Sequence, residues 1–114
     1  MKDERFSFSE CSLTRSMAII GTKWKPLIVF VLQTKKVRFG QLDAIIPLIT
    51  RKVLTEQLKE LEEDGILRRE AFNEIPPKVE YSLTEKGLAL LPIFDLIKSW
   101  NTKFETESIQ TEKK

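Results

Sequence analysis

A chain of 114 residues, 41% hydrophobic and 32% charged, has the size and composition of one globular domain, and its single cysteine excludes an internal disulfide. Its longest apolar run, Leu27 to Leu32, falls far short of the roughly 20 residues that cross a bilayer. The net charge of +2 conceals an asymmetry: residues 1–54 carry ten Lys/Arg against four Asp/Glu, net +6, and residues 55–114 carry nine against thirteen, net −4, so a polyanion-facing surface would lie on the first half.

In chain order, residues 1–10 read as a flexible N-terminal arm. Lys2, Asp3, Glu4 and Arg5 leave no apolar signal-peptide core, which with the lone cysteine leads us to expect a cytoplasmic protein. A first helix opens at Cys11-Ser12-Leu13-Thr14, with Ser12 a possible cap. Leu13, Met17 and Ile20 share one face, and Gly21 ends the helix. Thr22 can cap a second helix, from Lys23 to about Gln33. Pro26 lies in its first turn, where a missing N–H costs little. Trp24, Leu27, Ile28, Val31 and Leu32 are its expected buried side. Lys35 to Arg38 reads as a connector or brief strand. Phe39 to Ile46 is a short helix with Phe39, Leu42, Ile45 and Ile46 inward, ended by Pro47.

Pro47-Leu48-Ile49 then makes a turn into a helix read over Thr50 to Glu63, which Thr50 caps by accepting an orphan backbone N–H. Leu54, Leu58 and Leu61 form its apolar stripe. Lys52, Thr55, Glu56 and Lys59 fall opposite, with Arg51 at the edge. Basic residues come early and acidic ones late (Glu60, Glu62, Glu63, Asp64), so the N-terminal turns suit phosphate, as does the helix dipole. After Asp64-Gly65, strands are expected over Ile66–Phe72 and Lys78–Leu83. Val79, Tyr81 and Leu83 point one way, and Pro76-Pro77 mark and stiffen the hairpin tip.

The final helix is expected from Thr84 to about Phe104, bent or interrupted by Pro92, with residues 105–114 a flexible C-terminal tail. Leu90, Ile93, Phe94, Leu96, Ile97, Trp100 and Phe104 cover more than one stripe, so part of that surface wants a second subunit. Leu13, Met17, Ile93, Ile97, Trp100 and Phe104 are the candidate interface between two copies.

No histidine is present, which removes the commonest general base and metal ligand and the usual partner of a cysteine nucleophile. The sequence holds no zinc-type cysteine cluster, no glycine-rich phosphate loop and no nucleophile elbow. Neither an enzyme nor a bound metal or cofactor is expected. What remains is α+β, mostly α: a helix, tight turn and second helix followed by a hairpin, the arrangement of a winged helix-turn-helix. In that context Thr50, Arg51, Lys52, Thr55 and Lys59 are candidates to meet DNA in the major groove, and Lys78 to meet it from the wing. The plainer reading is a charged, solvated helix face. Arg68 and Arg69 suit sheet edges or phosphate flanks, and Lys35, Lys36 and Arg38 the DNA backbone or a solvated loop. Cys11, near a helix start, is a candidate reactive thiol or simply a small apolar residue. The rival function is a protein-interaction module on the same fold, without DNA binding.

From Cys11 to Trp100 the chain resembles the HxlR-type branch of the MarR-like winged-helix transcription regulators. The landmarks are Cys11, Gly21-Thr22-Lys23-Trp24, Arg38-Phe39-Gly40-Gln41-Leu42, Val53 through Gly65, and Pro76 through Gly87. Pro26 departs from the family pattern and Thr50 stands where Ser is usual. The resemblance implies a homodimeric transcriptional regulator on a roughly palindromic operator. The terminal helices would form the dimer interface, and residues 11–104 would make one winged helix DNA-binding and dimerisation domain. It also implies possible redox or electrophile sensing at Cys11. With no second cysteine in the chain, that sensing would use a bridge to another subunit, a small-thiol adduct or alkylation. The resemblance names no small-molecule effector.

Overall fold

The structure is a computed structural model that describes residues 10–112, with side chains through residue 105. In chain order it comprises α1 (Ser12–Ile20), α2 (Lys25–Leu32), β1 (Val37–Arg38), α3 (Phe39–Ile45), α4 (Arg51–Glu63), β2 (Leu67–Phe72), β3 (Lys78–Leu83), α5 (Glu85–Leu88) and α6 (Leu90–Glu112). The strands form one antiparallel sheet in the order β1-β3-β2. Val37 pairs with Tyr81, and Leu67, Ala71 and Phe72 pair with Leu83, Val79 and Lys78. This is a winged helix: α3, a turn and α4 make the helix-turn-helix, and the β2–β3 hairpin is the wing.

The leucine stripe of α4 explains the core. Leu54, Leu58 and Leu61 are at most 1% exposed and pack with Ile28, Val29, Leu32, Leu42, Ile46, Ile66, Leu67 and Tyr81. Burying a leucine or isoleucine contributes about 1.5–3 kcal/mol each, so this cluster fixes where α4 lies. Gly65 follows α4 with φ +73, a left-handed turn that a side chain would strain. At Gly87 the constraint is space: a Cβ there would lie 2.2 Å from the Ile66 carbonyl oxygen. Thr84 fastens the same joint, donating from Oγ1 to the Gly65 and Ile66 carbonyls and accepting from the Gly87 N–H.

Several expectations need correction. The cap position of α1 is Cys11, not Ser12. The second helix starts at Lys25 rather than Lys23, although Thr22 Oγ1 does accept the Lys25 N–H at 3.1 Å. Leu27 is 36% exposed, while Val29 and the charged Lys25 are buried in its place. Ile45 is 54% exposed: α3 ends there, and the extended backbone at Ile46 (φ −91, ψ 107) turns Ile46 inward instead. The interruption expected in the last helix is present and divides it into α5 and α6. The break at Ala89 relieves the clash that the Pro92 ring would make with the carbonyl four residues back in a continuous helix, and leaves Pro92 in the first turn of α6. The helix then runs to Glu112, not to Phe104, because residues 105–112 contain no Gly or Pro to stop it. The tail expected over 105–114 is therefore helical backbone as far as Glu112. Residues 1–9 of the expected N-terminal arm lie outside the described residues.

Candidate nucleic-acid interface

One side of α4 is fixed and the other is open. Thr50 Oγ1 accepts the Val53 N–H at 3.1 Å, so the N-terminal turn is capped. Deeper along the helix, Thr22 Oγ1 donates to Gln57 Oε1 at 2.7 Å, and Lys25 Nζ donates to Glu60 Oε1 at 2.6 Å. The contacts come from the turn before α2 and from its first residue, and clamp α4 along a flank of its leucine stripe. This pair of clamps is not among the contacts expected from the sequence. Its signal was a lysine inside an otherwise apolar helix, facing a glutamate on the helix that follows the turn.

Arg51, Lys52, Thr55, Glu56 and Lys59 are all exposed, as the helical spacing requires. Arg51 Nε donates to Asp43 Oδ2 of α3 at 3.1 Å, with the arginine side chain 77% exposed. The hydroxyl of Thr55 donates to the Arg51 carbonyl at 2.7 Å, leaving its methyl and oxygen lone pairs available. Lys52 and Lys59 make no ion pair among the described residues. The surface that α4 presents therefore carries two unpaired ammonium groups and one oriented guanidinium. The turn before it exposes Leu48, at φ +68, while Ile46 and Ile49 anchor that turn in the core.

The wing offers less charge than expected. Lys78 is folded against its own hairpin: Nζ lies 3.5 Å from Glu80 Oε2 and 4.9 Å from the centre of the Phe72 ring, and the side chain is 27% exposed. The segment Asn73-Glu74-Ile75-Pro76-Pro77 at the tip is exposed and holds no cation. Lys36 pairs with Glu70 of β2 at 3.6 Å, while Lys35, Arg38, Arg68 and Arg69 are exposed.

Cys11 is partly exposed at the start of α1. A hydrogen bond from the Thr14 side chain, and a second from its backbone, hold the thiol below its ordinary pKa, outweighing a small opposing effect of burial. Donors aimed at sulfur stabilise thiolate, the nucleophilic form.

All six residues proposed for a subunit interface are exposed: Leu13, Met17, Ile93, Ile97, Trp100 and Phe104, with Leu96 beside them. Phe94 faces inward instead and joins the core. Between α1, α2 and α6 runs an open apolar groove of about 640 Å³, floored by Ile20, Phe30 and Phe94 and edged by Met17, Leu27 and Ile97. Among the described residues there is no cluster of metal-ligating side chains and no helix long and apolar enough to cross a membrane.

Comparison with known proteins agrees with this geometry. The profile described as HxlR-like helix-turn-helix matches residues 19–109. The uncharacterised HTH-type transcriptional regulator YdeP of Bacillus subtilis (strain 168) is 43% identical over 98 residues, covering 86% of this chain and 77% of that protein. Among solved structures, the redox regulator HypR in its oxidised form is 44% identical with a TM-score of 0.76, covering 82% of this chain and 96% of that one. The reduced form of the transcriptional regulator YodB from B. subtilis is 40% identical with a TM-score of 0.74, covering 82% and 94%. A capped, clamped helix with an open basic face, a hairpin wing beside it and this extent of similarity lead to one conclusion: the chain belongs to the HxlR-like helix-turn-helix family and is a transcriptional regulator, not an enzyme.

Proposed function

We propose that the protein binds double-stranded DNA in the cytoplasm as a homodimer, on a roughly palindromic operator. In each protomer the N-terminal half of α4 enters a major groove. Arg51, Lys52, Thr55 and Lys59 meet bases and phosphates there, and the Thr50 cap sits at the point of entry. The observation that carries this reading is the contrast across α4: three leucines in the core and two clamps from Thr22 and Lys25 fix one side, while Lys52 and Lys59 on the other side have no ion-pair partner among the described residues. A helix held so firmly and left so bare is suited to rigid insertion. Lys78 would join from the wing only after leaving Glu80 and Phe72, so its contribution is secondary to that of α4.

The apolar faces of α1 and α6 are the dimer surface in this reading. They supply aromatic and aliphatic side chains of the kind buried at subunit interfaces, and two copies place two α4 helices on one duplex. Cys11 is the sensing residue. Its thiol is partly exposed and favoured as thiolate, and HypR, of similar sequence and fold, is a redox regulator. Oxidation or alkylation next to Leu13 on α1 would act directly on the dimer surface.

Selection of bound duplexes from a random library tests the reading. The expected result is an inverted repeat with half-site centres about 34–36 Å apart, one helical turn. Enrichment of no sequence, with no retention on duplex DNA at low salt, would overturn it.

A further inference from the structure

The pairing of Arg51 with Asp43 sets Arg51 apart from the other cations of α4. Lys52 and Lys59 are point charges on flexible stems with no partner among the described residues. Arg51 stands at the first position of α4, where a recognition helix brings its side chains to base edges. Its Nε is taken by Asp43 Oδ2 at 3.1 Å, yet its side chain stays 77% exposed while that of Asp43 is 24% exposed. The carboxylate is therefore the better anchored partner, and the guanidinium is the one that projects. An arginine has five N–H donors in a fixed plane. With Nε engaged, the two terminal amino groups remain, side by side. That pair of donors matches the O6 and N7 acceptors of guanine in the major groove.

We propose that Asp43 is a specificity-determining positioning residue: it holds Arg51 by Nε and so presents the guanidinium fork to one guanine in each half-site. This rests on α4 being the helix that enters the groove. Two physical effects act together. The carboxylate restricts the arginine rotamers, so less side-chain freedom is lost on reaching the base. It also places a negative charge near the DNA backbone, which disfavours register shifts in which Arg51 would bind phosphate instead. As an exposed pair the contact adds little to stability, and its consequence is in recognition.

The test measures affinity of the full chain for the duplex selected by the wild type and for single-base-pair variants across one half-site. The proteins are wild type, Arg51→Ala, Asp43→Ala, Asp43→Asn and the Arg51→Ala/Asp43→Ala double variant. Expected is a guanine preference at one position of each half-site that Arg51→Ala removes and Asp43→Ala cuts by about tenfold, with no further loss in the double variant. Asp43→Asn retains an acceptor for Nε and keeps most of the preference. The inference is overturned if Asp43→Ala leaves the preference intact, or if Asp43→Ala and Asp43→Asn both raise affinity equally on every sequence, which would be a charge effect alone. It is also overturned if Arg51→Ala changes no base preference. Absence of any sequence preference in the wild type would instead contradict the DNA-binding reading on which the inference rests.

Discussion

Lys25 Nζ lies 2.6 Å from Glu60 Oε1, the lysine side chain 3% exposed and the glutamate 51% exposed. A lysine this deep is tolerated because its ammonium has a carboxylate at hydrogen-bonding distance, and the pair ties the first turn of α2 to the later turns of α4. The two partners are unequal. Removing the carboxylate leaves a buried charge unpaired, whereas removing the ammonium leaves a carboxylate that water can reach. Glu60→Ala is expected to destabilise by about 1–3 kcal/mol and Lys25→Met by distinctly less, measured by denaturant unfolding. Equal losses would show that water reaches the Lys25 ammonium.

The joint between the wing and the last two helices depends on space at Gly87. A Cβ there meets the Ile66 carbonyl at 2.2 Å, and Ile66 cannot yield because it accepts from Thr84 and is 1% exposed. Gly87→Ala is expected to cost about 1–3 kcal/mol, as overpacking does. Gly40→Ala in α3, where a Cβ meets nothing within 4 Å, is expected to be neutral or stabilising by up to ~1 kcal/mol. Thermal unfolding of both variants checks the contrast.

Much of the fold was legible because its strongest signals are periodic. Leu54, Leu58 and Leu61 announce a helix with one buried stripe, Thr50 its cap, and Val79, Tyr81 and Leu83 a strand with one inward face. All are placed as those patterns require. Residues whose environment depends on distant chain were not legible. The burial of Lys25 depends on a partner 35 positions away. Ile45 and Ile46 are equally apolar, and only the point at which α3 stops decides which turns inward. Leu27 sits on a helix apolar almost all round, where periodicity cannot say which side meets the core and which lines an open groove. At the candidate interface the spacing gave the exposed face of α4. It did not give the Asp43 partner of Arg51 or the folding of Lys78 onto Phe72, since both are tertiary contacts.

The Thr14 side chain is the largest influence that lowers the Cys11 pKa. A donor to sulfur stabilises the charged form, so the thiol gives up its proton at lower pH than a free cysteine. The rate of alkylation by iodoacetamide should therefore reach half its maximum at lower pH than in an unstructured cysteine peptide. Thr14→Val removes the hydroxyl donor and is expected to move that midpoint upward. An unchanged midpoint would remove Thr14 as the cause.

Trp100 is 65% exposed, and its ring centre lies 6.3 Å from that of Phe104 with the two planes tilted by 58°. Neither ring belongs to the core cluster, so a charge at this position leaves the winged helix folded while opposing burial against a second copy. Trp100→Glu is expected to sediment as a folded monomer under conditions where the wild type is dimeric, and to bind the palindromic duplex at least about tenfold more weakly because one protomer reaches only one half-site. A Trp100→Glu protein that remains dimeric would move the interface elsewhere.

The salt dependence of binding tests the role of the exposed α4 face most directly. Lys52 and Lys59 take part in no ion pair among the described residues, so their replacement should leave the unfolding temperature unchanged. In a dimer each substitution removes two cations, and each lost phosphate contact lowers the slope of log K against log salt by about one unit. Lys52→Ala/Lys59→Ala is expected to bind the selected duplex more weakly, with a slope shallower by about four units. The same affinity and the same slope as the wild type would contradict that role.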